Sequence, residues 1–134
     1  MIRGSCLCGA VTYEIDGSLT GAGNCHCTIC RKSHGAAFAT WTFFAPDQFR
    51  WTSGVELIER YASSPGNERC FCSRCGSPLA VSHEGEIREV VLASIDGDPG
   101  VRPAEHIFTG FKAPWYDITD TLPQHRDWPP GMAP

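Results

Sequence analysis

The sequence predicts an all-β domain of short antiparallel strands, on three observations. Apolar and polar residues alternate over short stretches, and aromatic and β-branched residues cluster between turn residues. Fourteen glycines and ten prolines punctuate the 134 residues. No window sustains the 3.6-residue apolar period of an amphipathic helix.

In order along the chain, VTYEIDG alternates Val11, Tyr13 and Ile15 with Thr12, Glu14 and Asp16 before Gly17, which predicts a half-buried strand ending in a turn. Thr28 to Ser33 supports a single helical turn and nothing longer. AAFATWTFFAPDQFRWTSG is rich in strand-forming residues and is broken at Pro46 and Gly54. Its Trp41, Phe43, Phe44 and Trp51 read as core residues rather than a binding face. VELIERYAS, PLAVSHEGE, REVVLASIDGD and EHIFTGFK follow as further strands, with Asp96 and Asp98 as turn residues. The ending PQHRDWPPGMAP is proline-rich and is expected to lie extended over the surface. One domain over residues 1–123 and a Pro-rich C-terminal tail over 124–134 are therefore expected.

A chain of this length buries roughly two-thirds of its unfolded surface in one core. Its net charge is −4, and no basic block exceeds the Arg31–Lys32 pair. Nucleic acid is thus a poor partner, because phosphate binding needs clustered Lys and Arg. No apolar run is long enough to span a bilayer, and MIRGSCLCGA lacks the apolar core of a signal peptide. A cytoplasmic location with no membrane partner is expected.

Eight cysteines in such a chain point to metal rather than disulfides. They fall in three clusters: SCLCGA with Cys6 and Cys8, NCHCTIC with Cys25, Cys27 and Cys30, and RCFCSRCGS with Cys70, Cys72 and Cys75. C-x2-C-G is a zinc-knuckle signature, in which thiolates accept N–H bonds from a tight turn and Gly76 tolerates a positive φ. In an extended strand, Cys6 and Cys8 share one face. Joining that pair to Cys72 and Cys75 would give a closed, structural four-thiolate site, although several pairings of eight sulfurs satisfy the spacing.

The middle cluster stops at three sulfurs. Zinc held by three thiolates keeps a fourth position for water, a thiolate or a carbonyl oxygen, which is the arrangement of a site that does chemistry. The other reading is a second structural site closed by His26, His34 or Cys70. His26 sits between two ligands, where its ring would point away from their ion. His34 could fold back, and Cys70 reads most simply as a buried free thiol. Arg31 and Lys32 could offset thiolate charge and hold the carboxylates of an acidic substrate, or form only a solvated turn.

Four segments in this order, GSCLCGAVTYE, NCHCTICRKSHGAAF, RCFCSRCGSPL and HIFTGFKAPWYDITDTLP, resemble the glutathione-dependent formaldehyde-activating enzyme family, which includes centromere protein V. The resemblance runs from about Gly4 to Pro123. It implies a fold of coiled antiparallel strands with zinc knuckles, similar to methionine-R-sulfoxide reductase domains. It also implies two zinc ions: a structural one on Cys6, Cys8, Cys72 and Cys75, and a catalytic one on Cys25, Cys27 and Cys30. The family's namesake activity is that of S-(hydroxymethyl)glutathione synthase, a carbon–sulfur lyase joining glutathione to formaldehyde. Two departures stand out: Cys70 lies outside the seven-cysteine pattern, and QHRDW follows the proline where relatives place an aromatic residue.

The leading expectation is therefore a zinc enzyme acting on a thiol–aldehyde adduct, with Arg31 and Lys32 helping to bind the thiol. The alternative is a non-catalytic zinc module that binds a protein partner. A redox protein using C-x2-C thiols is weaker, because zinc would occupy those sulfurs. A homodimer is expected only on general grounds, since no stretch designates an interface.

Overall fold

β1 (Ile2–Ser5) and β2 (Thr12–Ile15) form an antiparallel pair around the first cysteine turn, and β5 (Phe49–Ser53) completes a three-stranded sheet on the far side of β2. The computed structural model describes residues 1–132, so positions 133–134 of the expected tail lie outside the described residues. The alternation in VTYEIDG has the predicted effect: Tyr13 and Ile15 are fully buried while Thr12 and Glu14 are only partly so.

The larger sheet holds seven strands: β3 (Gly21–Cys25), β4 (Ala39–Phe43), β6 (Ile58–Ser64), β7 (Asn67–Cys72), β8 (Pro78–His83), β9 (Glu86–Val91) and β10 (Pro103–Ile107). Their order across the sheet is β10-β3-β4-β9-β8-β7-β6. The fold is mostly β, as the sequence predicts. One pair departs from antiparallel pairing, since β10 runs parallel to β3, with Ile107 opposite Cys25. The long connection from β9, in the middle of the sheet, to the edge strand β10 makes this geometry available.

Two apolar clusters divide the larger sheet's faces. Val11, with Tyr13 and Ile15 of the smaller sheet, packs with Cys72, Leu79 and Val90 in the first. Cys25, Cys30, Ala39, Trp41, Val81 and Val91 form the second. Val90 and Val91 are neighbours on β9 yet belong to different clusters, as the alternation of a strand requires. Trp41 and Phe44 are buried, whereas Phe43 and Trp51 sit at the margins.

α1 (Thr28–His34) is the α-helix among the described residues, one turn longer at most than the sequence supports. It ends at Gly35 in the left-handed conformation, φ 60°, with the Ala36 N–H bonded to Arg31 O at 3.2 Å. No described helix is long and apolar enough to cross a membrane. The segment after β10 runs back beside that strand: His106 N–H donates to Pro123 O and Phe108 N–H to Asp127 O. Trp128 packs edge-on against Phe108.

Gly4 lies opposite Tyr13 in the β1–β2 pair, and the tyrosine ring folds over it. A Cβ at Gly4 would fall 2.1 Å from Tyr13 Cζ. The ring cannot yield easily, because its hydroxyl bonds Ser94 Oγ at 2.6 Å and Phe49 and Trp51 flank it. Gly4→Ala is therefore expected to cost about 3 kcal/mol. Urea unfolding of zinc-loaded protein checks this; a midpoint equal to wild type at unchanged m-value would refute it.

Candidate functional site

The first-turn cysteines and the knuckle meet across the two sheets. Cys6, Cys8, Cys72 and Cys75 place their sulfurs within 4.8 Å of one another. Cys6 Sγ lies 3.6 Å from Cys8 Sγ, and Cys8 Sγ lies 3.9 Å from Cys72 Sγ. Two turns build this convergence. Gly9 adopts φ 79° with its N–H on Cys6 O, and Gly76 adopts φ 80° with its N–H on Cys72 O. Val11 N–H donates to Cys6 Sγ at 3.3 Å, and the Ser77 hydroxyl lies 3.2 Å from Cys75 Sγ. Hydrogen bonds from the Ser77 side chain and backbone hold the Cys75 thiol down to about 5. Sulfurs that accept N–H and O–H bonds are already set up to be anionic, which suits a dication.

Cys25, Cys27 and Cys30 form the second convergence, again within 4.8 Å of one another. β3 delivers Cys25, while Cys27 is the N-cap of α1 and accepts the Cys30 N–H on its sulfur at 3.3 Å. Cys25 and Cys30 are buried and Cys27 is half-buried. The three thiols interfere with one another's ionisation. Hydrogen bonds from Cys25 and Cys30 pull Cys27 far down, and contact with Cys27 and Cys30 pushes Cys25 far up. A bound dication removes that conflict by letting all three ionise, so the donor set fits zinc.

The residues weighed as a fourth ligand go elsewhere. No other His, Cys, Asp or Glu among the described residues places a ligand atom within 4.8 Å of all three sulfurs. His26 is fully buried and turns to His106, with its Nε2 2.8 Å from His106 Nδ1. His106 in turn reaches the Asp120 carboxylate at 3.0 Å. His34 packs edge-on against Trp41 with its ring centroid 5.2 Å away. Cys70 is buried in the first apolar cluster and belongs to neither sulfur group. Burial pushes its thiol up despite the Arg60 guanidinium 3.2 Å away.

A cavity of about 540 Å³ lies between α1 and the β6–β7 hairpin, within the usual range for small-molecule sites. Ile29, Trp41, Tyr61 and Phe71 supply much of its wall, and Lys32 stands at its rim. Cys70 lines it, but Cys25, Cys27 and Cys30 do not. Arg69 is the link: it lines the cavity and its Nη2 donates to Cys30 Sγ at 3.5 Å. Arg31 turns the other way, and its Nη1 donates to Phe111 O at 3.0 Å. Sequence reasoning singled out Arg31 and Lys32 but passed over Arg69, His106 and Asp120. Arg69 had a signal available, since strand alternation from Cys72 predicts where its side chain points.

A family model described as glutathione-dependent formaldehyde-activating enzyme matches residues 1–110. A Halomonas elongata protein, provisionally named for the same activity, is 33% identical over 88% of this chain and 81% of its own length. A Schizosaccharomyces pombe protein named as an uncharacterized lyase is 34% identical over 58% of this chain and 54% of its own. A crystal structure of a Rhodobacter sphaeroides protein superimposes with TM-score 0.57 at 26% identity, covering 73% of this chain and 91% of that one.

Proposed function

Because the chain belongs to the glutathione-dependent formaldehyde-activating enzyme family, we propose that it is a zinc-dependent carbon–sulfur lyase of the S-(hydroxymethyl)glutathione synthase type. Its substrates on this reading are glutathione and formaldehyde, and the bond made and broken joins the thiol sulfur to the aldehyde carbon. The observation that carries the reading is a set of three convergent thiols with no fourth protein ligand atom within 4.8 Å among the described residues. The alternative, a non-catalytic module, needs such a fourth ligand, and the three candidates for it point elsewhere.

Cys25, Cys27 and Cys30 would hold the catalytic zinc, and Cys6, Cys8, Cys72 and Cys75 the structural one. Zinc at the three-cysteine site would supply positive charge that favours the thiolate form of a substrate thiol at neutral pH. In the forward direction the thiol gives up its proton and its sulfur lone pair forms the bond to the aldehyde carbon. The carbonyl π pair moves to oxygen, which takes up a proton; the reverse steps release the aldehyde. The chain's own part is positional. Cys27 fixes the start of α1, Lys32 faces the cavity, and Arg31 lends its charge from behind the helix without facing the bound thiol.

The test follows adduct formation by ¹³C NMR from labelled formaldehyde and glutathione. Zinc-loaded protein is expected to accelerate it above the spontaneous rate, and protein stripped of zinc is not. Equal rates with and without loaded protein would end the proposal.

A further inference from the structure

Arg69 is held on three sides and unpaired on the fourth. Its Nη2 faces Cys30 Sγ at 3.5 Å, its Nε reaches Ser63 Oγ at 3.4 Å, and its guanidinium sits 5.5 Å from the Trp41 ring centre. Its Nη1 is buried with no hydrogen-bond partner. A buried cationic donor left without an acceptor is costly, and an anion would relieve that cost. A second orphan lies in the same cavity wall, since His34 Nε2 is also buried and unpartnered. Lys32 adds a second cation at the rim, and no carboxylate side chain among the described residues lines the cavity. The space therefore combines apolar walls with two cations, Lys32 and the immobilised guanidinium edge of Arg69, arranged beside the three-sulfur cluster. A planar carboxylate suits a guanidinium edge better than any neutral group does.

We propose that this cavity is a carboxylate subsite, in which Arg69 Nη1 and Lys32 bind a carboxylate of a low-molecular-weight thiol whose sulfur lies at Cys25, Cys27 and Cys30. Only the placement of the sulfur rests on the lyase reading. Arg69 is then a specificity-determining residue: it selects acidic thiols over neutral ones of similar reactivity. Because the same guanidinium touches Cys30, occupancy of the subsite and position of the sulfur are coupled through one rigid side chain.

S-methylglutathione is the direct probe, since it keeps both carboxylates and has no thiol to ionise. Calorimetric titration of zinc-loaded wild-type protein is expected to show saturable binding. Arg69→Gln is expected to weaken it at least tenfold, Lys32→Gln about threefold, and Arg69→Lys less than Arg69→Gln. In adduct formation, Arg69→Gln is expected to raise KM for glutathione by a factor at least tenfold greater than the factor by which it raises KM for 2-mercaptoethanol. Lys32→Gln serves if Arg69→Gln does not fold, because Lys32 is exposed.

Three results would overturn the proposal. One is failure of wild-type protein to bind S-methylglutathione. Another is undiminished binding by folded Arg69→Gln or, where that variant does not fold, by Lys32→Gln. The third is an equal loss for glutathione and 2-mercaptoethanol, which would make Arg69 a support of the sulfur cluster alone. S-methylglutathione binding that depends on Arg69, in a protein that forms no adduct from any thiol, would uphold the subsite and end the lyase reading.

Discussion

Cys72→Ser is expected to leave the protein largely unfolded at 25 °C. Two effects act in the same direction and differ in size. The sulfur is fully buried in the first apolar cluster, and an unpartnered hydroxyl there costs about 1–3 kcal/mol. The larger effect is loss of one of four donors from the Cys6–Cys8–Cys72–Cys75 group, where a structural zinc would contribute on the order of 10 kcal/mol. A domain of this size has a total stability of about 5–15 kcal/mol, so the second effect alone decides the outcome. Circular dichroism and bound-zinc analysis provide the check. A cooperative transition near the wild-type urea midpoint, with two zinc ions still bound, would show that the quartet does not hold the fold together.

Cys27→Ser should do the opposite: preserve the fold and remove the chemistry. Cys27 caps α1 through its side chain, and serine is among the residues best suited to an N-cap. The helix therefore has no reason to fray. The serine hydroxyl is a far weaker donor to zinc than a thiolate, so affinity at the three-sulfur site falls sharply. Loss of a mere supporting contact to a metal ligand costs 10–100-fold, and loss of the ligand itself is expected to lower kcat/KM at least 100-fold. Adduct formation at near wild-type rate by folded Cys27→Ser would remove the three-sulfur cluster from the mechanism.

Local pattern made some parts of the structure readable and left others opaque. The alternation of Val11, Tyr13 and Ile15 identified β2, and the C-x2-C-G turn appears with Gly76 at φ 80°. The helix after Cys27 falls where the sequence supports a helical turn, although at seven residues it is longer than that single turn. β3 was missed because GAGNC has no β-branched or aromatic residue; it is a strand because β4 and β10 pair with it on both sides. The parallel pairing of β10 depends on where the chain returns after β9, which no local window records. The chain from His26 through His106 to Asp120 spans positions 80 and 14 residues apart, so no spacing rule would have joined them. Arg69 was passed over because it sits beside Cys70 and Cys72, and its meaning comes from Cys30, 39 residues away.

The four-sulfur group also sets an order of events during synthesis. Cys8 and Cys72 meet across 64 residues of chain, and ribosomes add about 5–20 residues per second. The first pair of thiols is thus made roughly 3–13 s before the second pair. β1 and β2 cannot be clipped to the larger sheet in that interval, and their exposed thiols must stay reduced and unclaimed. A nascent chain of this protein has no partner sulfurs for that first pair during the wait, whereas the folded molecule brings all four within 4.8 Å of one another.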